Sequence, residues 1–215
     1  MTDISKLNIT AYKTSEHWDF GNQILYKLCK DNFQHERDDI ILTKVLFIGR
    51  IYAAAIERRK NKKQTDINND NFYIDKVAPT FRKSKLDRQL SELKSMRLTT
   101  DNIPQILRVH NDLMTTLSKI TDLDKRSFCS KYLHFHLPDL FFIYDSRALT
   151  ALRDFTSRVP KELRHIPQLT FVDKEYATFY CKCFDIKNKI EIEHKTKLTT
   201  RQLDNLLIET ANRKK

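Results

Sequence analysis

Glycine occurs only twice in 215 residues, at Gly21 and Gly49, and this scarcity narrows the folds open to the chain more than any other feature. Tight hairpins and phosphate-cradling loops need residues that reach positive φ at little cost. The shortage argues against a tight-turn β barrel and against a glycine-rich nucleotide loop. What remains is a mostly α-helical pattern. Its length suffices for a proper core, so the expectation is one helical domain over residues 1–215, or two closely packed helical lobes.

The helical reading rests on spacing. A helix from about Glu16 to Lys30 carries Trp18, Ile24, Leu25 and Leu28, and a second from Arg37 to Lys60 carries Ile40, Ile41, Val45, Ile48, Ile51, Tyr52 and Ala55. A basic run then leads into a polar stretch through Asp70, which reads as a flexible loop. Leu86, Leu90 and Leu93 place a helix over Ser84 to Met96, and Thr99-Thr100-Asp101 introduces one from Asn102 or Ile103 to Lys119, with Pro104 in its first turn. After Pro160 and Pro167 a helix from Asp173 to Phe184 or beyond is expected, although Thr170 to Val172 and Lys189 to Glu193 also suit extended chain. The last helix is announced by the capping box Thr199-x-x-Gln202 and by Leu203, Leu206 and Leu207.

The formal net charge of +11 favours a polyanionic partner, nucleic acid first. There is no run of eighteen apolar residues, and the N-terminus lacks the apolar core of a signal peptide, so a soluble, cytoplasmic protein without a membrane partner is expected. The four cysteines, Cys29, Cys129, Cys181 and Cys183, read as reduced thiols.

Chemistry concentrates in Arg126 to Ala148, RSFCSKYLHFHLPDLFFIYDSRA. Asp124 suits an N-cap, and Phe128, Tyr132 and Phe135 give the following helix an apolar face. Pro138-Asp139 reverses the chain, Leu140 to Tyr144 crosses the interior, and Asp145 opens another helix over Ser146 to Leu152. A carboxylate is thereby set at the edge of the core. His134-x-His136 does not read as a metal site, because positions two apart on a helix point about 200° apart.

This order, helix, short hairpin, helix and an apolar crossing to an Asp, resembles the helix-hairpin-helix DNA glycosylases of the 8-oxoguanine glycosylase-like kind, over roughly Asn102 to Phe155. The matching hairpin is Ile120-Thr121-Asp122-Leu123-Asp124, where the family carries glycines at the positions of Asp122 and Asp124. Arg126 falls where the lyase branch has its nucleophilic Lys, and Asp145 matches the essential Asp. The resemblance implies a helix-hairpin-helix fold that excises a modified or damaged base from DNA through Asp145, without metal or other cofactor. Arg126 stays protonated and forms no Schiff base, which implies excision without lyase activity.

On this reading Asp145 is the catalytic carboxylate, with Lys131 and Lys125 as neighbouring amines and Lys131 as reserve nucleophile. Arg126, Arg147, Arg58, Arg59, Lys60, Lys62 and Lys63 are candidate nucleic-acid contacts. Trp18, Tyr52, His134, His136, Phe142, Tyr144 and Tyr176 are candidate walls for a base drawn out of the stack. Two readings from other classes stand beside it. One is a non-enzymatic nucleic-acid-binding module in which Asp145 only caps its helix. The other is a subunit of a defence or repair assembly whose positive face meets an acidic partner.

Overall fold

The structure is a computed structural model that describes residues 2–9, 19–58 and 69–213. It is mostly helical, with no strand among the described residues. The longer helices are α1 (Asp19–Asp31), α2 (Asp38–Ile51), α3 (residues 69–82), α4 (Leu86–Leu93) and α5 (Ile103–Thr121). They are followed by α6 (Arg126–His136), α7 (Ser146–Phe155), α8 (Lys174–Glu193) and α9 (Thr200–Asn212).

Helix α6 is the axle of the fold, packing on α1, α2 and α5. Every residue from Phe128 to His136 is buried, so the expected single apolar face is a helix enclosed on all sides. Its polar side chains can be buried because each finds a partner. His134 donates from Nδ1 to the Phe141 carbonyl at 2.8 Å and accepts at Nε2 from the Tyr26 hydroxyl at 2.6 Å. His136 donates from Nδ1 to the Tyr132 carbonyl at 2.8 Å and accepts from the Lys44 ammonium at 3.2 Å. The Tyr132 hydroxyl donates to His35 at 2.6 Å, and His35 in turn holds Asp87 at 2.5 Å. Helices α7, α8 and α9 pack together on the other side of the site.

Several expectations from the sequence are corrected. Asp124 does not cap α6: Lys125 takes the N-cap position with no side-chain cap bond, and Asp124 is exposed. Helix α2 stops at Ile51 rather than Lys60, and Ala53 turns the chain at φ 51°. The carbonyls released beyond that end are taken by lysines, Tyr52 by Lys131 at 2.9 Å and Arg58 by Lys125 at 2.5 Å. Helix α3 was hidden by its polar start and by Pro79. A π-helical stretch, Tyr73–Val77, precedes the proline and relieves the ladder that its missing N–H would break. Lys189 to Glu193 completes α8, and residues 170–172 form a turn.

Leu140 to Tyr144 crosses the interior outside any helix or strand, starting from the turn that ends at Leu140. Side chains satisfy its backbone: the hydroxyls of Tyr176 and Tyr180 donate to the carbonyls of Phe142 (2.8 Å) and Leu140 (2.5 Å). The Tyr144 amide donates to Ser130 Oγ at 2.9 Å.

Candidate functional site

The crossing delivers Asp145 to the N-cap of α7, where its Oδ1 accepts the Arg147 amide at 2.9 Å. An extended backbone at Asp145, φ −137° and ψ 150°, followed by a good helical run is what a capping Asp favours. The other oxygen, Oδ2, accepts from the Lys131 ammonium at 3.3 Å. That ammonium also donates to the Tyr52 carbonyl, and the Lys131 side chain is only 5 % exposed against 30 % for Asp145. The result is a carboxylate fixed at both oxygens, backed by a buried cation and a helix N-terminus, with one edge open to solvent. A carboxylate so placed can face developing positive charge and can hold a water at its open edge.

Of the candidate amines, the structure brings Lys131 to Asp145 and separates Lys125. Lys125 turns to the carbonyls of Ala55 and Arg58, and burial lowers its ammonium pKa while Glu57 opposes the shift. Arg126 also points elsewhere. It grips Asp173 with two bonds, 2.5 Å from Nε and 2.8 Å from Nη2, and meets Glu175 at 3.0 Å. This pairing raises the guanidinium pKa further, through the Asp173 hydrogen bonds first.

Arg147 and Arg58 are exposed, Arg147 directly beside Asp145. Arg59, Lys60, Lys62, Lys63 and Trp18 lie outside the described residues.

Among the candidate walls, Tyr52 and Tyr144 are half-buried near the pair. The Tyr52 ring packs on Phe135 at 5.0 Å, and the Tyr144 hydroxyl donates to Glu175. Phe142, packed edge-on against Tyr180 at 4.9 Å, and Tyr176 and His134 are interior side chains. Burial pushes the His134 imidazole down to about 3. His136 faces the opposite way from His134, towards Lys44 and a surface cavity at Pro138. No group of three or more His, Cys, Asp or Glu side chains gathers to hold a metal among the described residues.

Sequence reasoning missed three parts of this arrangement. The acceptor that fixes Lys131 is a backbone carbonyl 79 residues away, the anion that occupies Arg126 lies 47 residues away, and both are invisible to local pattern. The backbone of the connection between α5 and α6 is the third. Asp122 adopts φ 56° and ψ 24°, the left-handed conformation that glycine reaches most cheaply, and both Asp122 and Asp124 are exposed. No helix among the described residues is long and apolar enough to cross a membrane. Comparison with protein-family models, with curated proteins and with solved structures finds no match to this chain.

Proposed function

We propose that this chain is a DNA glycosylase of the helix-hairpin-helix kind, excising a modified or damaged base with Asp145 as the catalytic carboxylate and Lys131 as its positioning residue. The observation that carries the reading is the Lys131–Asp145 pair at the open N-terminus of α7, 3.3 Å between Nζ and Oδ2. A base drawn out of the stack leaves with the electron pair of its glycosidic bond, and positive charge develops on the sugar. Asp145 stabilises that charge and orients a water, whose oxygen bonds to the sugar carbon while its proton passes to the carboxylate. The left-handed backbone at Asp122 supports the hairpin likeness, since it is where the family uses glycine. The exposed carboxylates of Asp122 and Asp124 oppose a phosphate there, so strand contacts fall to Arg147 and to the cationic run beginning at Arg58. Lys131 is buried and holds two acceptors, which favours hydrolysis over a Schiff-base route.

The second reading, a binding module without chemistry, is favoured by one fact: capping and the ion pair already occupy both Asp145 oxygens. The two are separated by incubating the protein with duplex and single-stranded DNA bearing a panel of modified bases. Abasic sites, strand cleavage and borohydride-trapped adducts are scored separately. Asn caps a helix as well as Asp, so Asp145→Asn keeps the fold while removing the charge. Abasic sites without cleavage, reduced about a hundredfold or more in the variant, are expected. Salt-sensitive binding with no product on any substrate would leave the binding module as the function.

A further inference from the structure

The positive charge of the chain is not spread evenly over its surface. Between Arg147 and Arg164, five exposed cations, Arg147, Arg153, Arg158, Lys161 and Arg164, meet only two carboxylates, Asp154 and Glu162. None of the five forms an ion pair among the described residues, whereas Lys27 pairs with Asp31 at 2.5 Å, Arg37 with Asp39 at 2.6 Å and Arg88 with Glu92 at 3.6 Å. Helix α8 brings two more cations to the same place. Lys174, Thr178 and Lys182 follow at four-residue spacing and share one face of that helix. With Leu149 on α7 they line a groove of about 360 Å³, whose apolar lining is Leu149 and Phe179. Lys182 donates to the Ser157 carbonyl at 3.0 Å, and burial and the nearby charge of Arg153 lower its ammonium pKa. Glu175 also lines the groove, but Arg126 at 3.0 Å and the Tyr144 hydroxyl already hold it. Its charge is balanced within the fold, and that of the lysines is not.

The chemistry of this face selects its partner. Unpaired cations held along one surface favour a polyanion. Four of them are arginines, whose planar fork takes two phosphate oxygens at once. The exposed large apolar side chains of the described residues, Phe20, Ile24, Leu46, Ile51, Ile74 and Ile192, all lie outside Arg147 to Lys182. The face therefore lacks the apolar anchors with which a chain enters a lipid surface or centres a protein interface. The groove also starts one helical turn from the candidate carboxylate, where the Leu149 amide donates to the Asp145 carbonyl at 2.9 Å.

We propose that the face formed by α7, the loop after it and the start of α8 holds the phosphate backbone of a nucleic-acid strand and leads it to Asp145. The strand then docks along the groove between α7 and α8 and not against the connection between α5 and α6, where Asp122 and Asp124 present carboxylates. That the strand leads to Asp145 rests on the excision reading; that it binds here rests on the groove and its charge.

Fluorescence anisotropy with a labelled single strand and a labelled DNA duplex, on the full chain between about 50 and 200 mM salt, measures these contacts. The variant Arg153→Gln, Arg158→Gln, Lys174→Gln removes three unpaired charges from the face. The control Lys27→Gln, Arg37→Gln, Arg88→Gln removes the same net charge from paired positions, and thermal melts check that both fold. Each phosphate contact contributes about 0.7–0.9 to the log–log salt slope. The face variant should therefore lower the slope by about 2 and weaken binding at least about tenfold, with the slope of the control unchanged. Equal effects of the two variants, an unchanged slope in the face variant, or no binding of either nucleic acid by the unmodified chain would overturn the proposal. So would tighter binding to phosphatidylserine vesicles than to DNA. Abasic sites are scored in parallel: binding with the expected slope and no product removes the excision reading and keeps this surface.

Discussion

Replacing Arg126 by methionine is expected to cost stability and to leave nucleic-acid affinity unchanged. The guanidinium is 17 % exposed and its partner Asp173 11 %, and Asp173 also caps α8 by accepting the Tyr176 amide at 2.7 Å. Removing one member of a fully buried pair costs about 3–5 kcal/mol. Residual exposure screens this pair, so roughly 2–3 kcal/mol is expected, or a fall of about 5–10 °C in Tm for a chain of this size. Asp173→Asn keeps the cap, and a double-mutant cycle of the two should return a coupling of about 1–2 kcal/mol.

The pH dependence has a definite sign. Burial alone would raise the Asp173 pKa, but the Arg126 guanidinium and the Tyr176 amide outweigh it and hold the carboxyl below its usual range. A depressed folded pKa gives stability that is full above the unfolded value of about 4 and is lost as pH falls through the folded one. The methionine penalty should therefore shrink below about pH 4. Urea and thermal denaturation followed by circular dichroism at pH 7 and pH 3 measure it. A penalty under about 0.5 kcal/mol at pH 7, or a log–log salt slope for DNA binding reduced by about 1, would return Arg126 to the phosphate backbone.

Two further outcomes follow from the same geometry. Asp122→Gly relieves a left-handed residue and removes an exposed carboxylate from the hairpin. It should stabilise by about 0.5 kcal/mol in urea titrations and raise DNA affinity, and a loss of stability would show that the Asp is not strained there. Burial pushes His110 down to about 4 and His136 well below the ordinary imidazole range, so both are neutral in the fold. The unfolded chain takes up these protons first as pH falls below about 6.5, and each histidine then removes up to about 1.4 kcal/mol of stability per pH unit. Urea midpoints between pH 7.5 and 4.5 should fall steadily, and a rise on acidification would contradict the burial.

Local pattern made much of this fold legible. The leucine spacing of α4, the capping box of α9 and the Asp145 cap of α7 are each written within one or two turns of chain. Helix α3 was not legible, because its first turn is polar and its proline is accommodated by a widened turn rather than avoided. The depth of α6 was not legible either. Phe128, Tyr132 and Phe135 announce one apolar face, and nothing local shows that Ser130, Lys131, His134 and His136 are enclosed as well, because their partners lie on α1, α2, the residues after α2 and the crossing. At the site, the position of Asp145 behind an apolar run is a local fact, whereas the choice of Lys131 over Lys125 or Arg126 is tertiary. Distant carbonyls and carboxylates capture the two rejected cations first.

The interior crossing has a consequence for how the molecule comes together. A strand in a sheet is templated by its neighbour, but Leu140 to Tyr144 is held by hydroxyl groups on Tyr176 and Tyr180 of α8 and by side chains of α6. Those anchors exist only where both helices are docked, so the path of the segment, and of Asp145 at its end, depends on that docking. The position of Asp145 is thereby tied to the packing of both helices rather than to a local element. Replacing either tyrosine by phenylalanine should then cost about 1–3 kcal/mol, since the ring would still pack while a buried carbonyl lost its donor.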